Sequence, residues 1–122
     1  MCGIAGFIGE WPASLARAMA ASIAHRGPDG EGHWYQRGIA LSHRRLSIID
    51  LSEAAAQPMH SKSKRYVITF NGEIFNFKEL RRELQQAHVS LRTESDTEVL
   101  LELFDREGVN CISRLNGIFA FA

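Results

Sequence analysis

The chain has 122 residues, 14 basic and 14 acidic side chains, a formal net charge of zero, and hydrophobic and charged fractions of 45% and 23%. That length and composition suit one globular domain, and without a basic run there is little support for a nucleic-acid partner. Two cysteines, Cys2 and Cys111, lack metal-ligand spacing, no apolar stretch is long enough to cross a bilayer, and the opening residues lack the basic segment of a signal peptide. These features argue against a disulfide framework, a zinc site and a membrane anchor, and fit a reducing, cytoplasmic compartment.

Residues 2 to 8, C-G-I-A-G-F-I, read as an apolar strand closed by Gly9. Pro12 opens a helix expected over residues 13 to 24, with Leu15, Met19 and Ile23 on one face. H-R-G-P-D-G-E-G, residues 25 to 32, is expected to be a loop. Two strand-like pieces follow, H-W-Y-Q and G-I-A-L-S-H. Residues 51 to 64 are rich in Ser, Ala and charge and read as a surface loop. R-Y-V-I-T-F-N, residues 65 to 71, carries the strongest strand signal, and N-G-E-I-F-N is expected to turn the chain back. Helices are expected over 77 to 87 behind Asn76 and over 96 to 107 behind Ser95, each with a glutamate three residues past the cap. Gly108 suits the position after the second helix, and V-S-L-R-T, residues 89 to 93, reads as a short strand between the two.

The chain closes on R-L-N-G-I-F-A-F-A, a turn and an apolar strand with Phe119 and Phe121 on one face. So apolar an edge is expected to need cover from further chain or from a partner. Together the elements predict an α+β fold with mainly antiparallel strands. The helices should cover a sheet that holds both residues 2 to 8 and residues 65 to 71.

The opening M-C-G raises a chemical question. Cys2 reads either as a small apolar residue starting a strand, or as a nucleophile exposed by loss of Met1. A thiol with an ordinary pKa of about 8.5 needs a base. None of the five histidines, His25, His33, His43, His60 and His88, can be assigned to it. The α-amine of residue 2, with a pKa of about 8, can take the thiol proton and later give it to a leaving amine. Acyl transfer also needs an oxyanion hole. Asn71 and Gly72 offer a side-chain amide and a backbone N–H, although Asn-Gly is equally the signature of a hairpin turn. Arg45 suits a substrate carboxylate, or belongs with Arg44 to a solvated basic pair. Asp96 opens a helix, where a carboxylate also serves as a plain dipole partner, and Glu73 reads as exposed.

MCGIAGF, AHRGPDGEG, HRRLSIIDLS, QPM, FNGEIFN and ESDTEVLLELF follow in this order. Together they resemble the glutaminase domain of glutamine-hydrolysing asparagine synthetases. That is a class II glutamine amidotransferase domain of the N-terminal-nucleophile hydrolase fold, and the resemblance covers essentially the whole chain. It implies that Cys2 attacks the side-chain amide carbon of glutamine and that Asn71 and Gly72 form the oxyanion hole. It implies that Arg45 grips the α-carboxylate, that the backbone of Leu46, Ser47, Ile48 and Ile49 holds the main-chain end, and that Glu73 and Asp96 face the α-ammonium. Ammonia leaves and water hydrolyses a γ-glutamyl thioester. Arg26 and Asp29 receive no catalytic role.

By the same resemblance, residues 1–122 are expected to be the N-terminal part of a four-layer αββα sandwich, truncated and without the synthetase domain. No metal or cofactor is expected in this chain, since ATP and magnesium belong to the synthetase domain. L-glutamine and that C-terminal domain are the expected partners, a homodimer stays open, and neither nucleic acid nor a membrane is expected. R-L-S-I-I-D favours aspartate as the final ammonia acceptor. A sugar or cell-envelope precursor, or a non-catalytic fragment, are the alternatives. D-L-S-E-A-A-A-Q-P-M departs from the glycine and histidine the family usually places before Q-P.

Overall fold

The computed structural model describes residues 2–47 and 52–122. Strands β1 (Gly3–Ile8), β2 (Gly30–Gln36) and β3 (Ile39–Arg45) form an antiparallel sheet with β3 in the centre. Helix α1 (Ala13–Ser22) packs across this sheet. Small residues are buried on both sides of this contact, Ala16 and Ala20 on the helix and Ala40 on β3. That lets the helix approach closely enough for the Ser42 hydroxyl to donate to the Ala16 carbonyl at 3.2 Å. The helix stops two residues before the expected end and the chain continues as a 3-10 turn, Ala24–Arg26. The glycine-rich loop is also shorter than expected, because Gly30, Glu31 and Gly32 join β2 opposite Arg45, Arg44 and His43.

The larger core lies elsewhere. Strand β4 (Met59–His60) pairs with β5 (Val67–Ile68), and β6 (Phe70–Ile74) pairs with β7 (Gly117–Phe121). Helices α2 (Phe77–Gln86) and α3 (Asp96–Glu107) pack against one another. Met59, Ile68, Phe70, Ile74, Leu80, Leu84, Val99, Leu100 and Leu103 are buried together between them. β4 and the buried Met59 lie within the segment read as a surface loop. Its Ser- and Ala-rich surroundings disguise this apolar anchor.

The expected strand at residues 89 to 93 does not form. The N–H groups of Arg92 and Thr93 donate to the Glu98 carboxylate, at 2.9 and 2.7 Å, rather than to a neighbouring strand. Ser95 caps α3 as expected, its hydroxyl accepting the Glu98 N–H at 3.2 Å. Asn76 does not cap α2 with its side chain. Its amide instead donates to the Arg114 carbonyl and accepts the Asn116 N–H, both at 2.9 Å, and so fixes the chain entering β7.

Two expectations about the sheets are also corrected. Residues 2 to 8 and 65 to 71 lie in different sheets: β1 and β2 take both edges of β3, while β6 pairs with β7. Asn71 and Gly72 are not a turn, because β6 runs through them to Ile74 with Gly72 opposite Phe119. The last apolar strand is paired on this edge. Ala122 and Thr69 exchange hydrogen bonds of 3.0 and 2.9 Å, and Phe119 stacks on Phe70 with ring centres 6.4 Å apart. Among the described residues no helix is long and apolar enough to cross a membrane, and both cysteines are free thiols.

Candidate active site

The site grows out of the hydrogen-bond alternation along β6. Thr69 and Ala122 exchange two backbone bonds, so Thr69, Asn71 and Glu73 turn their N–H groups toward β7. Phe70, Gly72 and Ile74 turn theirs away. A buried N–H needs an acceptor. The Phe70 N–H donates to Gln57 Oε1 at 2.6 Å, and the Ile74 N–H donates to Asp96 Oδ2 at 3.0 Å. Between them, no group among the described residues takes the Gly72 N–H. Gly72 has a φ of +155°, and a β-carbon there would lie 2.3 Å from the Ile118 carbonyl oxygen. Only glycine fits this position.

Gly72 lines a cleft together with Cys2, His43, Arg45, Leu46, Ser47, Gln57, Glu73, Asp96 and Thr97. Cys2 enters it because β1 is antiparallel to β3, with Gly3 opposite Arg44. Its sulfur accepts the Leu46 N–H at 3.3 Å and lies 3.5 Å from the Leu46 carbonyl. The period of two along β3 then separates the adjacent arginines. Arg44 pairs with the Glu31 carboxylate, whereas Arg45 lines the cleft and donates to the Ser52 carbonyl at 2.9 Å. The loop before β2 braces this wall. The Asp29 N–H donates to the Arg45 carbonyl at 2.9 Å, and Asp29 Oδ2 accepts the Ser47 N–H at 2.8 Å.

Asp96 is the first residue of α3 and is 5% exposed. Burial raises its pKa above the ordinary carboxylate value; backbone N–H groups oppose that shift and nearby Glu73 adds to it. Glu73 is exposed at the rim. The cleft therefore presents a thiol, an unclaimed N–H, a guanidinium and two carboxylates. Of the residues expected from sequence, Cys2, Arg45, Leu46, Ser47, Gly72, Glu73 and Asp96 come together here. Asn71 adjoins them without lining the cleft, and its buried Oδ1 has no hydrogen-bond partner among the described residues. Ile48 and Ile49 lie outside the described residues.

His43, Gln57 and Thr97 are among the lining residues to which the sequence reading gave no role at the site. His43 shares the cleft-facing side of β3 with Arg45, a relation that strand alternation signals. Burial lowers its pKa to about 4; the Phe70 backbone works against that shift and Arg45 adds to it. The imidazole is thus neutral near pH 7. Gln57 and Thr97 are joined by a side-chain hydrogen bond of 3.2 Å across the cleft. Gln57 stands in Q-P-M, which shows no chemical pattern of its own.

Residues 1–122 match the Glutamine amidotransferase domain family over their whole length. The chain is 40% identical to asparagine synthetase [glutamine-hydrolyzing] 1 of Bacillus subtilis (strain 168), over 99% of this chain and 20% of that protein. It is 38% identical to asparagine synthetase [glutamine-hydrolyzing] 1 of Arabidopsis thaliana, over 99% of this chain and 21% of that protein. It is 39% identical to asparagine synthetase B [glutamine-hydrolyzing] of Escherichia coli (strain K12), over 88% of this chain and 19% of that protein. The chain thus spans about a fifth of the length of these relatives.

Proposed function

Because the chain belongs to the glutamine amidotransferase domain family, we propose that its cleft hydrolyses glutamine through a thioester on Cys2 and passes the ammonia to an ATP-dependent synthetase that makes asparagine. One observation carries this reading. The Cys2 thiol and the unclaimed Gly72 N–H open onto the same cleft as a cation, Arg45, and two anions, Asp96 and Glu73. Glutamine is a zwitterion with an amide at its far end. Arg45 takes the α-carboxylate and Asp96 with Glu73 takes the α-ammonium, which points the amide carbon toward the sulfur.

Removal of Met1 gives residue 2 a free α-amine. That amine accepts the thiol proton as sulfur bonds to the amide carbon, and the carbonyl oxygen becomes an oxyanion facing the Gly72 N–H. The Asn71 amide is the second donor of this reading. The C–N bond then breaks, the ammonium of residue 2 protonates the departing nitrogen, and ammonia leaves. Water attacks the thioester with the same amine as base, glutamate departs and the thiol is restored.

We place residues 1–122 in the N-terminal part of an αββα sandwich of N-terminal-nucleophile hydrolase type, in the cytoplasm. The names of the relatives and the fifth of their length that the chain covers support a synthetase step outside these residues, where ATP and magnesium would act.

The test is ammonia release from glutamine by the intact natural protein, with mass spectrometry of the Cys2 peptide. The expected results are loss of Met1, a trapped glutamyl adduct on Cys2 and abolished hydrolysis in Cys2→Ala. Undiminished hydrolysis in Cys2→Ala would overturn the reading. Aspartate-dependent use of the ammonia, compared with sugar acceptors, decides the acceptor.

A further inference from the structure

Gln57 lies far from Phe70 and Thr97 in sequence, yet it bonds both. Its Oε1 accepts the Phe70 N–H at 2.6 Å and its Nε2 donates to Thr97 Oγ1 at 3.2 Å. Phe70 is two residues before Gly72 on β6, and its N–H points to the same side as that of Gly72. Thr97 follows Asp96 in the first turn of α3. One side-chain amide thus spans the strand that carries the unclaimed donor and the helix that carries the buried carboxylate.

The backbone of Gln57 is seated as closely as its side chain. It passes directly over Gly32 of β2, where a β-carbon would stand 1.9 Å from the Gln57 carbonyl oxygen and 3.0 Å from its carbon. That contact is with backbone, which cannot swing aside as a flexible side chain would. The glycine that ends H-R-G-P-D-G-E-G therefore makes room for Gln57, and the two positions form one device.

We propose that Gln57 is a positioning residue, seated on Gly32, that sets the direction of the Gly72 N–H and its spacing from Asp96. This rests on the glutaminase reading above and adds a residue to it. Nothing else among the described residues accepts the Phe70 N–H. Without Gln57 that peptide is free to tilt, and the tilt passes through Asn71 to Gly72. Misplacement of such a donor by a fraction of a bond length weakens the oxyanion more than it weakens the bound substrate. The defect should therefore fall on kcat rather than on KM.

The experiment uses the intact natural protein with Gln57→Met, Gln57→Glu, Thr97→Val and Gly32→Ala. Turnover is normalised to Cys2 thiols titrated with iodoacetamide, so misfolded molecules are not counted. Gln57→Met, which has no acceptor, should lower kcat about tenfold or more while KM for glutamine moves less than about threefold. Gln57→Glu keeps the acceptor and should recover most of kcat. Thr97→Val and Gly32→Ala should fall between the two. An unchanged kcat per titrated thiol in Gln57→Met overturns the proposal, as does equal impairment of the Met and Glu variants.

Amide hydrogen exchange at Phe70, measured without glutamine, separates this proposal from the glutaminase reading. Exchange should quicken about tenfold or more in Gln57→Met and stay near wild type in Gln57→Glu. Unaltered exchange in Gln57→Met overturns the clamp even if wild-type protein hydrolyses glutamine. Quickened exchange in a protein with no glutaminase activity upholds the clamp and overturns the reading it serves.

Discussion

The Ile74 N–H donates to Asp96 Oδ2 at 3.0 Å, so the carboxylate at the head of α3 is also the end stop of the strand that carries Gly72. That oxygen is committed to the fold, and the carboxylate also lines the cleft. Asp96→Asn keeps an acceptor for Ile74 and removes the charge. KM for glutamine should rise about tenfold or more, the worth of a hydrogen bond to a charged group, while the melting temperature stays close to wild type. Asp96→Ala removes both functions and should also cost about 1–3 kcal/mol of stability, from the orphaned N–H. Steady-state kinetics and a thermal melt of the two variants check this.

Arg45 should act on substrate affinity alone. Its side chain reaches the Ser52 carbonyl at 2.9 Å, and it is the Leu46 peptide that touches the Cys2 sulfur. Arg45→Ala should raise KM for glutamine about tenfold or more. The rate at which iodoacetamide alkylates Cys2 should not change. An unaltered KM would remove Arg45 from the carboxylate site.

Gly72→Ala combines a forbidden dihedral with a backbone collision, since the new carbon would sit 2.3 Å from the Ile118 carbonyl oxygen. Strain of this kind costs about 2 kcal/mol or more. Urea unfolding should show that loss, and any folded fraction should have little glutaminase activity, because relief requires β6 and β7 to part.

His43 makes the fold sensitive to mild acid. Its folded pKa of about 4 lies below the ordinary 6.5, so the unfolded chain binds a proton that the folded chain refuses. Stability is complete above pH 6.5 and falls as the pH drops toward about 4, below which this contribution levels off. Between about pH 7 and pH 5 the loss should be about 2 kcal/mol. His43→Gln should flatten that part of the profile whatever it does to stability at pH 7. Denaturation at the two pH values measures the difference.

The legible parts of the chain were those in which a residue's neighbours in sequence are also its neighbours in space. Ser95 caps α3 as its pattern announces, and the period of two along β3 puts Arg45 in the cleft and Arg44 on Glu31. The misread parts are those in which a long polar side chain replaces a strand. Glu98 collects the N–H groups of Arg92 and Thr93, and the expected strand there disappears. Gln57 does the same for Phe70 inside a segment that reads as a loop. Asn71-Gly72 satisfies every local criterion for a turn. Its conformation is set by Phe119 and Ala120, residues too distant for local pattern to register.

The pairing of β6 with β7 has one more consequence, for the kinds of sequence change the domain can absorb. The N–H groups of odd-numbered residues of β6 point toward the partner strand and those of even-numbered ones point away from it, so the donor at Gly72 is selected by parity. Insertion or deletion of one residue between Thr69 and Gly72 would exchange the two sets. The sheet could still close, yet the glycine amide would be spent on β7 and a side-chain-bearing residue would stand in its place. Away from Gly72, substitutions in this strand can be tolerated singly, whereas an indel of odd length silences the cleft without unfolding the protein. Indels of even length preserve the phase. A deep insertion–deletion scan of β6, scored separately for abundance and for glutaminase activity, should show that two-residue alternation.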